Sequence, residues 1–133
     1  MIKRIIHIGI AVKKLGLSSE LFSKLFEQSS TLIENIPQQQ ANIAFYPIGE
    51  SSFELIESTA SDSAISTFIE KRGEGIHHIC LEVDNINAEI ERLKKHGFQF
   101  VSETPSEGGD GNLVVFLHPK STNGVLIELA EKV

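Results

Sequence analysis

The chain has 133 residues, 41% hydrophobic and 23% charged, with a formal net charge of -6. That length suits a single domain that buries roughly two-thirds of the surface its unfolded chain would expose. The negative balance argues against a nucleic-acid partner, no apolar run approaches the roughly 20 residues needed to cross a bilayer, and Met1-Ile2-Lys3-Arg4 leads into a strand without a secretory hydrophobic region, so a cytoplasmic protein with no membrane partner is expected.

The first strand carries Ile6-His7-Ile8-Gly9-Ile10-Ala11-Val12, which alternates with period two. His7 therefore shares a face with Gly9 and Ala11, opposite Ile8, Ile10 and Val12. After a turn at 13–16, Leu17, Leu21, Phe22, Leu25 and Phe26 recur at helical spacing. They predict an amphipathic helix over 17–28, with Ser18 or Ser19 available as its cap. Residues 31–36 read as a strand, 37–40 as a turn, 41–48 as a strand, 49–52 as a hairpin-like connection and 53–57 as the closing strand. Ser61-Asp62-Ser63 then caps a linker helix with Ala64, Ile65, Phe68 and Ile69 on one face, stopped by Gly73 and Gly75.

The second half repeats the first. A strand over 76–83 precedes a helix over 86–96 that Gly97 ends; strands follow at 98–103, 113–118 and 124–131, with a Pro- and Gly-rich loop at 104–111. Strand, helix, strand, strand, strand thus appears twice in a single α+β domain, with module one at about 1–58, the linker helix at about 61–73 and module two at about 75–133.

Aligning His7 with His78 puts Ile8 on Ile79, Ile10 on Leu81 and Val12 on Val83. The closing strands match as well: Glu54 and Glu128 are each followed by Leu, with Glu57 and Glu131 three residues on. A carboxylate between apolar neighbours on a near-central strand is costly unless it is paired or bound to a cation. His7 with Glu54 and His78 with Glu128 together form a mixed nitrogen and oxygen donor set suited to a divalent first-row ion, with Mn, Co, Ni and Zn all compatible. His77 points to the opposite face of its strand, as a core or supporting residue. His118, before Pro119, suits a substrate contact or a structural role, and His96 sits where a helix dipole favours it. The single cysteine, Cys80, is expected to be buried as a small apolar residue.

These residues resemble those of the vicinal oxygen chelate superfamily, and within it the methylmalonyl-CoA epimerase family, over nearly the whole chain. The resemblance is carried by His7-Ile8-Gly9-Ile10-Ala11-Val12, Phe53-Glu54-Leu55-Ile56-Glu57, Lys71-Arg72-Gly73-Glu74-Gly75-Ile76-His77-His78-Ile79, Phe116-Leu117-His118-Pro119-Lys120-Ser121 and Gly124-Val125-Leu126-Ile127-Glu128-Leu129. It implies a glyoxalase-like fold, in which two βαβββ modules form a curled mixed sheet around a metal-binding cleft, and a homodimer. It also implies metal ligands at His7, His78, Glu128 and Glu54, the last a position where some relatives carry Gln. The implied reaction is epimerisation at C2 of an acyl-CoA substrate, methylmalonyl-CoA, by proton removal and return through a metal-stabilised enolate.

One departure matters. Some family members carry a Glu proposed as a second base where a gapless comparison from Pro37 places Ile43, and residues 41–48 hold no acid at all. Glu128 is then the best candidate base and Glu54 the next. Gly108-Gly109-Asp110-Gly111 and His118-Pro119-Lys120 resemble family loops near the substrate, where Lys120 would meet a carboxylate or phosphate. Two alternatives remain on the same fold: a glyoxalase I type lactoylglutathione lyase, and a non-catalytic small-molecule-binding resistance protein.

Overall fold

The computed structural model describes residues 1–30, 32–108 and 111–133. Thr31, expected to open a strand, and the Gly109-Asp110 pair of the loop expected near the substrate lie outside the described residues. The chain divides into two compact units, His7–His77 and Met1–Ile6 with His78–Val133.

In the first unit, β1 (Ile2–Val12, here from His7 onward) is followed by α1 (Leu15–Phe26), β2 (Leu32–Ile36), β3 (Ala41–Ile48), β4 (Ser51–Ser58) and α2 (Ala64–Arg72). The strand order is β2-β3-β4-β1. β1 runs parallel to β4, with Gly9 opposite Glu54, and the other pairings are antiparallel. Alternation gives each strand one side for each helix. Val12, Ala44, Tyr46 and Leu55 pack with Leu15, Phe22 and Phe26 of α1, while Ala11, Ala41, Ile43 and Ile56 pack with Ile65 and Phe68 of α2.

Two expectations for α1 need correction. It begins at Leu15 without a side-chain cap of its own. Instead the carboxylate of Glu57, on β4, accepts the Leu15 N–H at 2.8 Å, so the neighbouring strand does the work expected of Ser18 or Ser19. The apolar face is also split. Leu15, Phe22 and Phe26 face inward, whereas Leu17, Leu21 and Leu25 are 64%, 65% and 68% exposed. Tyr46, fully buried, takes the space beneath the helix and donates its hydroxyl to the Ser19 carbonyl at 2.9 Å. α2 has the expected cap, Ser63 accepting the Ser66 N–H at 3.0 Å, and ends at Gly73 with φ 78°.

In the second unit, residues 1–6 of β1 join β5 (Gly75–Val83, here from His78), α3 (Ile86–Lys95), β6 (Ser106–Glu107), β7 (Leu113–Leu117) and β8 (Ile127–Glu131). β5 is parallel to β8, and β8-β7-β6 continue antiparallel. The strand topology of the first unit recurs, with α3 in the place of α1. Ile86, Ile90 and Leu93 of α3 pack on Val83, Val115, Leu117 and Leu129, and Asn85 caps the helix by accepting the Ala88 N–H at 3.0 Å.

The strand expected over 98–103 is absent. Phe98 and Phe100 pack on the α3 cluster, and the segment's backbone meets β7 and the residue after it through a Phe100–Leu117 bridge and the bonds Val101 N–H to Phe116 O and His118 N–H to Gln99 O. The paired strand is Ser106–Glu107, inside the stretch expected to be loop. β8 begins at Ile127 rather than 124, because residues 122–125 form a turn in which Gly124 has φ 86°. Among the described residues no helix is long and apolar enough to cross a membrane.

Candidate active site

Each unit holds one imidazole–carboxylate pair. In the first, His7 Nδ1 lies 2.6 Å from Glu54 Oε2, with side-chain exposures of 15% and 10%. The parallel β1/β4 register explains the contact. Gly9 stands opposite Glu54 and His7 is two residues before Gly9 on the same face, so both side chains emerge beside each other above a position with no side chain. In the second, His78 Nε2 lies 3.3 Å from Glu128 Oε1, at 8% and 9%. Here the small residue opposite the carboxylate is Cys80, buried as expected.

The repeat extends to a residue type that the motifs left out. Glu54 is flanked across β3/β4 by Phe45, and Glu128 across β7/β8 by Phe116. Each carboxylate therefore sits between a phenylalanine on one neighbouring strand and a small residue on the other. Phe116 also meets His78 edge-on, with ring centres 5.9 Å apart. Phe45 and Phe116 lie at the same offset as His7 and His78, so carrying the repeat alignment into the third strand of each half would have found them. Apolar flanks of this kind withdraw water from a charged pair and strengthen its interactions.

The remaining sequence candidates fall elsewhere. His77 packs edge-on against Phe68 of α2 at 5.0 Å, in the first unit. His118 Nδ1 accepts the Lys120 N–H at 3.1 Å and caps the 3-10 turn Pro119–Ser121, a structural use of one ring nitrogen. Lys120 itself is exposed. His96 forms the C-cap of α3. Ile43, standing where some relatives carry an acid, is 2% exposed in the α2 core cluster.

Two imidazole–carboxylate pairs at equivalent places in duplicated βαβββ units point to a known architecture. Residues 6–116 match the profile of the glyoxalase/bleomycin resistance protein/dioxygenase superfamily. The chain belongs to that superfamily. Its relatives narrow the assignment. The mitochondrial methylmalonyl-CoA epimerase of Homo sapiens is 36% identical over 129 residues, covering 96% of this chain and 73% of that one. The ethylmalonyl-CoA/methylmalonyl-CoA epimerase of Cereibacter sphaeroides is 35% identical over 133 residues, covering 98% and 99%. A structure of the Streptomyces coelicolor methylmalonyl-CoA epimerase with 2-nitronate-propionyl-CoA superposes with a TM-score of 0.92 at 31% identity, covering 100% of this chain and 96% of that one. The fold is glyoxalase-like, and the chain is a member of the methylmalonyl-CoA epimerase family, an enzyme of the epimerase type.

Proposed function

We propose that the protein epimerises methylmalonyl-CoA at C2, using a divalent metal held by His7, Glu54, His78 and Glu128. The observation that carries this reading is the pair of buried carboxylates, Glu54 at 8% and Glu128 at 7%, each set against an imidazole nitrogen. A lone buried carboxylate would be protonated or strongly destabilising. Two carboxylate oxygens and two imidazole nitrogens with apolar flanks are the donors that Mn, Co, Ni or Zn ions accept. When bound, the ion supplies Lewis-acid stabilisation of the negative charge that develops on the thioester oxygen.

The chain's own residues do the rest. The C2 proton leaves to a carboxylate and a proton returns to the opposite face of C2, which inverts that centre. Glu128 is the first candidate for the transfer, since a carboxylate that keeps one oxygen on a cation still offers the other, and Glu54 is the second. Ile43 cannot take either role. Phe45 and Phe116 stand beside the two carboxylates and lower the polarity around them, which strengthens their interactions. His118 and Lys120 belong to this reading as contacts to the acyl-CoA, the Lys120 ammonium toward a carboxylate or phosphate. A homodimer is part of it too.

The test is C2 proton exchange of methylmalonyl-CoA in deuterated water, with metal content measured on the same sample. Metal-loaded protein is expected to exchange the proton, and His78→Ala to lose both exchange and stoichiometric metal. Turnover of a glutathione hemithioacetal without C2 exchange would give the protein to the glyoxalase I type. Absence of both activities, with metal content unaffected by His78→Ala, would leave a binding protein.

A further inference from the structure

The two half-sites differ in the small residue set against the carboxylate. Gly9 stands opposite Glu54 on the strand that carries His7, and Cys80 stands opposite Glu128 on the strand that carries His78. The first half therefore offers an imidazole and a carboxylate, and the second offers a thiol besides. Within the second unit the three groups share one face, since His78 lies two residues before Cys80 and the register brings Glu128 alongside. All three are buried, Cys80 at 1%, His78 at 7% and Glu128 at 7%. The Cys80 sulfur lies within 4.8 Å of a Glu128 carboxylate oxygen, and His78 Nε2 lies 3.3 Å from Oε1 of the same residue.

We propose that Cys80 is a further metal ligand, a sulfur donor that tunes the centre toward zinc and cobalt and away from manganese. The inference rests on the metal-dependent reading above and adds a donor to the four which that reading uses. Neighbouring donors on a zinc ion with bonds of about 2.0–2.3 Å lie roughly 3–4 Å apart. The His78 and Glu128 atoms already meet that separation, and the sulfur reaches it with a shift of at most about an ångström. The thiol proton passes to solvent as the metal–sulfur bond forms. Nitrogen, oxygen and sulfur together make a softer donor set than the nitrogen and oxygen that the duplication alone would supply. Manganese takes carboxylate, carbonyl and water oxygens, whereas zinc is well held by imidazole and thiolate. Cys80 also packs on Val114 and Ala130, and a packing role by itself would let alanine serve as well there for every metal.

Cobalt(II) substitution and metal competition on the full chain test it. Cobalt-loaded protein is expected to show a sulfur-to-cobalt charge-transfer absorption in the near ultraviolet, and Cys80→Ala to bind cobalt without that absorption. Zinc outranks manganese at any nitrogen and oxygen site, so the preference itself decides nothing and its change on substitution is the readout. Cys80→Ala is expected to weaken zinc binding about tenfold or more and to leave manganese binding nearly unchanged, with circular dichroism checking the fold. If that variant fails to fold, the cobalt spectrum of the unaltered protein decides alone. The inference is overturned if cobalt binds to the unaltered protein without the absorption, or if alanine changes zinc and manganese binding alike, which is the result of a packing role. The metal-dependent reading survives both of those outcomes. A chain that binds none of these ions at stoichiometry overturns the reading and the inference together.

Discussion

At the scale of single residues, the two carboxylates are matched in surroundings but not in geometry. The His7–Glu54 contact is 2.6 Å and the His78–Glu128 contact 3.3 Å. With Glu128 proposed as the first base, Glu128→Gln is expected to lower C2 exchange by about 10²–10⁴-fold while part of the bound metal remains. Glu54→Gln, a change some relatives already carry, is expected to retain more activity; equal losses in the two variants would contradict the division of roles. Phe116 meets the His78 ring edge-on, so its effect is expected to come through that imidazole. Phe116→Ala is expected to reduce kcat on the order of 10-fold with metal content preserved, read by steady-state kinetics beside metal analysis. The His and Glu positions were legible in the sequence because duplication wrote each of them twice. The phenylalanines were written twice as well, but a phenylalanine on a strand has an ordinary packing role, and nothing in its type marks it as a neighbour of a charged pair.

The elements show where sequence pattern was sufficient and where contacts across the chain decided. α2 and α3 carry their own caps, Ser63 and Asn85, and both were predicted to start where they do. α1 takes its cap from Glu57, which is far away in sequence, so no local motif announced it. Glu57→Ala should cost about 1 kcal/mol, and the melting temperature should fall by about 2–5 °C; an unchanged melting temperature would show that the Leu15 N–H finds another acceptor. The strand expected over 98–103 has good alternation, yet its phenylalanines are satisfied by burying one face without a continuous ladder. Ser106–Glu107, by contrast, is a short exposed edge strand with no hydrophobic residue to reveal it.

In α3 the buried carboxylate Glu89 receives Arg92 Nη2 at 2.7 Å. The Arg92 guanidinium, and after it the Met1 amino group, holds the Glu89 carboxyl below its ordinary value of 4.5. A lowered carboxyl stabilises the fold fully above that ordinary value, and the contribution is lost as pH falls through the folded one. Thermal stability is expected to decline below about pH 4.5 more steeply in the unaltered protein than in Glu89→Gln. Parallel acid limbs in the two proteins would remove Glu89 as a cause.

For the molecule as a whole, the duplication made the fold class readable before any coordinates: two passes through the same order of elements, with a helix for each sheet to rest on. The division of β1 could not be read that way. The strand looks continuous in sequence, and only the contacts assign its first six residues to the unit that is otherwise built from His78 onward. The first unit is one unbroken stretch, residues 7–77, whereas the second needs residues 1–6, made before it, and residues 78–133, made after it. Joining those pieces closes a loop over all the residues between them, whose entropic cost grows with the logarithm of its length while it stays flexible. Chains arrested after residue 77 are therefore expected to leave Ile6 without its partners Cys80, Val114 and Ala130 and to aggregate more readily than the full chain, as light scattering of the two would show.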